Sequence, residues 1–97
     1  MLIRIVKLSF KPEHISTFIN NFESHKTKIR NFKGCEKLEL LCDKNQDHIF
    51  FTYSCWQTEA DLENYRHSEL FKSVWAKTKL LFNDKPLAWS VERVQAL

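Results

Sequence analysis

The chain has 97 residues, 15 basic against 12 acidic, and its net charge of +3 is spread along the whole length, so no basic patch invites a nucleic-acid partner. A chain this short forms one domain, residues 1–97, and buries only about two-thirds of its unfolded surface, which leaves its core limited unless a partner extends it. Three cysteines without CxxC spacing, Cys35, Cys42 and Cys55, argue against a disulfide framework or zinc site and read as buried free thiols.

The N-terminal run MLIRIVKLSF is interrupted by Arg4 and Lys7, is too short to span a bilayer, and lacks a small-residue cleavage site. No membrane partner is expected, and the location expected is cytoplasmic. Alternating β-branched and apolar residues predict a strand over Leu2 to Phe10. Pro12, tolerated in a first helical turn, carries that strand straight into a helix. In this first helix Ile15, Phe18, Ile19, Phe22 and Ile29 recur at the spacing of one buried stripe, while Lys26, Lys28 and Arg30 favour its C-terminal dipole. Asn31 or Phe32 ends it.

Gly34 opens a second strand in which Leu38, Leu40 and Cys42 alternate with Lys37, Glu39 and Leu41. The polar cluster Asp43 to Asp47 is a turn, and His48 to Trp56 resumes as a strongly β-forming run, completing a hairpin. Thr58, with Asp61 three positions later, then caps a second helix. Leu62 and Tyr65 form one stripe of it. After Ser68, a second candidate cap, the positions Leu70, Phe71, Val74, Trp75, Thr78, Leu81 and Phe82 form another, which predicts a bend or break near Arg66 to Ser68. Asp84 and Pro86 terminate the segment, and Leu87 to Val94 supplies a last strand.

The order strand, helix, strand, strand, helix, strand predicts an α+β fold, a ferredoxin-like split βαββαβ unit with a four-stranded antiparallel sheet and helices on one face. The strands do not alternate cleanly between apolar and polar. In the third, Phe50 and Trp56 point one way while Ile49, Phe51, Tyr53 and Cys55 point the other. A sheet with one solvated face should alternate. The face away from the helices is therefore expected to meet a second copy, making a homodimer in the form of a closed dimeric α/β barrel. The break near Arg66 to Ser68 aims Tyr65 and Trp75 at one space beside Trp56, which is either ordinary core or a cavity.

In this topology the segment YSCWQTEADLENYRHSELFKSVW, residues 53–75, resembles the antibiotic biosynthesis monooxygenase superfamily of dimeric α/β barrels: aromatic strand end, capped helix, then Ser68 and Phe71 in family spacing. The resemblance implies a homodimer with a pocket between helices and sheet, and oxygenation of a quinol, anthrone or related phenol without metal or flavin. Such a protein must bind an electron-rich ring, deprotonate it, and stabilise the anion in a dry cavity. On that basis the catalytic candidates are His25, as proton acceptor, and Tyr65, which as a phenol with a usual pKa of about 10 orients rather than deprotonates. Trp56, Phe71, Trp75 and Val6 are the substrate-contact candidates, and a small aromatic is the expected ligand. No cofactor and no metal are expected.

Haem degradation, the activity of one branch, is disfavoured. The ten-residue spacing that places its iron ligand here joins Tyr65 to Trp75, and Val6 stands where that branch has asparagine. Quinol-oxidising relatives carry histidine at the Tyr65 position and often near Leu70, which this chain does not. Two further readings therefore stand beside the oxygenase: a non-catalytic dimeric module for a small apolar ligand, and an isomerase or decarboxylase on the same barrel. His14, His48 and His67 read as surface residues.

Overall fold

The structure is a computed structural model that describes residues 1–97. Four strands, β1 (Leu2–Ser9), β2 (Cys35–Cys42), β3 (Ile49–Trp56) and β4 (Leu87–Glu92), form one sheet in the order β2-β3-β1-β4. Every neighbouring pair is antiparallel. Three helices, α1 (Ile15–Arg30), α2 (Glu59–Arg66) and α3 (Glu69–Thr78), complete the α+β ferredoxin-like arrangement. No helix is long and apolar enough to cross a membrane.

Both predicted caps are present. The Thr58 hydroxyl accepts from the Asp61 amide at 3.1 Å and the Ser68 hydroxyl accepts from the Phe71 amide at 3.1 Å. Ser68 also donates its hydroxyl proton to the Tyr65 carbonyl at 2.6 Å, tying the end of α2 to the start of α3. The break therefore falls at His67–Ser68, where a second N-cap competes with continuation of the first helix.

Elsewhere the sequence expectations need correction. A single 3-10 turn, Pro12–His14, separates β1 from α1, because proline supplies the fixed φ of a first turn but no amide donor. Phe10 lies beyond β1, in an isolated bridge with Phe82. β2 carries a register shift between Cys35 and Lys37. Cys35 and Cys55 are buried, but Cys42, at the free edge of the sheet, is exposed. β4 ends at Glu92, two residues earlier than its composition suggested.

Gly34 holds the Trp56 end together. Its φ is +89°, in the left-handed region, and a Cβ there would run into the Asp61 carboxylate of α2. Its carbonyl accepts from the Gln57 amide at 2.8 Å, and the Arg30 guanidinium donates to the adjacent Cys35 carbonyl at 2.7 Å.

Strand register sorts the two faces of the sheet. Leu2, Arg4, Val6 and Leu8 stand opposite Trp56, Ser54, Thr52 and Phe50, all toward the helices. The other face sets Ile3 against Cys55 and Val91, Ile5 against Tyr53 and Trp89, and Lys7 against Phe51 and Leu87. No helix covers this second face. Trp89 is 45% exposed and Leu87 47%, large apolar surfaces that a lone sheet leaves in water.

Candidate functional site

Between the helices and the inner face of the sheet lies a cavity of about 350 Å³, lined by twenty residues of which fourteen are hydrophobic. That volume falls at the small end of the range of about 300–1,000 Å³ typical of small-molecule sites. The helices that the Thr58 and Ser68 caps begin supply Leu62, Tyr65, Arg66, Phe71 and Trp75 to it. Ser68 starts α3 afresh after the break, and Phe71 and Trp75 of that helix lie on the cavity lining.

A run of aromatic rings forms the wall. Trp56 and Tyr65 stack with centroids 5.1 Å apart, Tyr65 meets Phe71 edge-on at 5.3 Å, and Phe71 stacks on Trp75 at 5.9 Å. Trp75 continues the run to Phe82 at 5.6 Å, and Phe32 meets Tyr65 edge-on at 5.4 Å from the far side. These offset and edge contacts are the arrangements aromatic quadrupoles prefer. Trp56 is the anchor, 1% exposed, its indole N–H donating to the Ser54 hydroxyl at 3.0 Å.

The polar groups on the lining are few, and several are already engaged. Ser54, besides accepting from Trp56, donates to the Arg4 carbonyl at 3.5 Å. Thr78 donates to the Val74 carbonyl at 2.8 Å and accepts from the Asn21 amide at 3.3 Å. Thr52 and the Tyr65 hydroxyl have no protein hydrogen-bond partner, and Arg4 has only Ser90, at 2.9 Å. The cavity thus offers a ligand two hydroxyls and the unused N–H groups of Arg4, with the Arg66 guanidinium beside them.

Burial, with a smaller contribution from Cys35, pushes the Tyr65 phenol far above its ordinary value, so it is a hydrogen-bond donor at any physiological pH. Burial likewise pushes the Cys35 thiol up. The Arg4 guanidinium is lowered, first by burial and then by the like charge of Arg66.

Of the residues singled out from the sequence, Tyr65, Trp56, Phe71, Trp75 and Val6 all line this one cavity. His25 does not. Although it shares the helical stripe of Phe18 and Phe22, its Nδ1–H donates to the Asn21 carbonyl at 2.8 Å, which draws the ring back along its own helix. His67 is exposed beside Glu63, as its position at the break suggested. No imidazole, thiol or carboxylate is on the lining, and no three histidine, cysteine or acidic side chains converge in a metal-holding group.

Sequence reasoning missed Arg4 and Thr52. The signal was available: Arg4 has the strand parity of Leu2, Val6 and Leu8, and Thr52 that of Phe50 and Trp56.

Comparison with known proteins gives a consistent picture. Residues 1–77 match the family model described as antibiotic biosynthesis monooxygenase. A crystal structure of an antibiotic biosynthesis monooxygenase superposes with a TM-score of 0.91 at 20% identity, covering 98% of this chain and 100% of that one. A conserved protein from Methanosarcina mazei gives 0.90 at 20% identity over 96% and 93% of the two chains. A protein from Mycobacterium tuberculosis gives 0.90 at 14% identity over 98% and 96%. At these identities the structural likeness speaks for the fold. No curated protein matches the sequence.

Proposed function

The chain belongs to the antibiotic biosynthesis monooxygenase family, and from that premise we propose that it oxygenates a small electron-rich aromatic, a phenol, quinol or polycyclic ring, using molecular oxygen alone. The observation that carries this reading is the hollow itself, an aromatic-walled space whose unengaged polar groups are all donors or hydroxyls. Set against the Phe71 and Trp75 surfaces, with the buried Trp56 backing Tyr65, a flat ring would exclude water, while the Tyr65 hydroxyl would donate to an oxygen developing negative charge.

The substrate supplies the electrons. For an anthrone-type methylene, the anion formed on losing one C–H proton reacts with oxygen, one oxygen atom remains as a carbonyl, and the other leaves as water with the two hydrogens lost from carbon. The four electrons gained by oxygen come from that carbon.

Residues 1–97 act in this reading as one unit within a homodimer. The uncovered apolar sheet face, with Ile5, Phe51, Tyr53 and Trp89, supports a second copy seated there. Free cysteines fit a reducing, cytoplasmic setting.

Oxygen-electrode assays against a panel of anthrones and quinols test the activity. Uptake of one oxygen molecule per anthrone without peroxide release is expected, and no uptake with any member of the panel would refute it. A second reading, a dimeric binder of aromatic ligands without chemistry, is favoured by the lack of any imidazole or carboxylate on the lining. Thermal upshift with the same aromatics but no oxygen uptake would select it. The same absence counts against an isomerase, which needs a general base on the lining.

A further inference from the structure

The cavity is electrically one-sided. Arg4 projects from the middle of the sheet and Arg66 closes α2, both on the lining, and no acidic residue shares that lining with them. The carboxylate that acts on Arg4 is Glu63, and it is already engaged by Arg66 at 2.9 Å and His67 at 3.4 Å. Arg4 forms no ion pair. Its one side-chain partner is the neutral Ser90 hydroxyl, which leaves most of the five donors of a guanidinium without a protein acceptor. A partly buried cation beside a second cation, facing an empty apolar space, is costly unless an anion joins it.

We propose that Arg4 and Arg66 form an oxyanion subsite, so that the ligand of this cavity is an aromatic carrying an ionised carboxylate or phenolate. The Tyr65 hydroxyl, a donor without a protein partner on the same lining, fits an oxyanion equally well. Resting on the oxygenase reading, the subsite also supplies what the lining lacks. With no base on the lining, a bound phenol ionises because Arg4, with the Arg66 donors that Glu63 leaves free, holds its anion, and its proton passes to solvent water. Arginine suits this role because its planar fork meets two oxygens at once and it stays charged when partly buried.

Quenching of tryptophan fluorescence in the full chain, titrated with 2-naphthoate and with neutral 2-naphthamide, tests the subsite. The carboxylate is expected to bind at least about tenfold tighter than the amide. Arg4→Gln and Arg66→Gln should each lower that preference to about twofold, and Arg4→Lys should keep most of it. The Arg66 side chain is 44% exposed, more open than the partly buried Arg4, so its substitution tests the idea even where Arg4→Gln weakens folding. In a second arm, 4-nitrophenol bound to the protein should show its phenolate band about one pH unit below the free compound.

Equal affinity for the two naphthyl probes, or a preference untouched by either glutamine variant, would overturn the subsite. Binding of neither probe would overturn it together with the cavity as a ligand site. Tight naphthoate binding without oxygen uptake would instead leave the subsite standing and remove the oxygenase reading alone.

Discussion

The layer between sheet and helices has two ends built from the same kind of residue and packed in opposite ways. At one end Phe10, wholly buried, stacks on Phe18 with centroids 4.2 Å apart and touches Phe50 and Phe82, with Leu8 and Leu81 filling the remainder. At the other, Tyr65, Phe71 and Trp75 form an equally continuous run of rings, yet each has one side on empty space. Aromatic content alone does not separate core from cavity. What separates them is how the space is closed: α1 spans both, Phe18 stacking on Phe10 while Phe22 and Ile29 also line the hollow, and the wall facing them there is the restarted helix α3 with Phe71 and Trp75. The polar minority follows the same division, with Arg4, Thr52 and the Tyr65 hydroxyl all at the hollow end.

Substitutions can break or sharpen that contrast. Phe10→Ala should cost about 3–5 kcal/mol, the usual range for a large ring removed from a closed core, read as a lower urea midpoint at unchanged slope. Gly34→Ala should cost about 1–3 kcal/mol, from the left-handed backbone and from the clash with Asp61. Adding Asp61→Ala should recover only part of the steric share, because the Asp61 Cβ also stands in the way, and leave the backbone share untouched. Phe71→Ala, whose ring already faces space, should cost only about 1–2 kcal/mol yet sharply weaken binding of aromatic probes. A loss at Phe71 as large as at Phe10 would mean that the two ends are packed alike.

Tyr65→Phe is the smallest change and the most diagnostic of the hydroxyl. With no protein partner to lose, it should alter stability at pH 7 by no more than about 0.5 kcal/mol. Its effect should appear in alkali. The folded state holds the phenol proton well above the ordinary value, so above pH of about 10 the unfolded chain binds fewer protons and the native state loses stability as pH rises. Urea midpoints measured from pH 8 upward should fall less in Tyr65→Phe than in the parent; parallel curves would show that the phenol is not buried as described.

How much of this is legible in the sequence depends on how local the cause is. The element order, the Asp43–Asp47 turn, both caps and the break at His67–Ser68 follow from side chains acting on their own backbone, and all are readable. The inner positions of Trp56, Tyr65, Phe71 and Trp75 follow from period, but whether they enclose space depends on helix tilt, which period does not encode. Two residues show the limit. Arg4 looks like an interruption of an apolar strand until register sets it beside Ser54 and Ser90, facing the hollow. His25 has the correct helical phase for the cavity and still lies off it, because one hydrogen bond to Asn21 redirects the ring. Side-chain direction, unlike phase, is decided by the nearest available partner.

The chain's three tryptophans sit so as to test the central claim directly. Trp56 and Trp75 line the cavity, whereas Trp89 lies on the uncovered sheet face. In a ¹⁵N–¹H spectrum their indole N–H resonances report each region separately. Titration with a naphthol should move the Trp56 and Trp75 signals together, in a saturable manner, and leave Trp89 in place. Movement of Trp89 alone, or of none of the three, would contradict the assignment of the hollow as the site where an aromatic ligand binds.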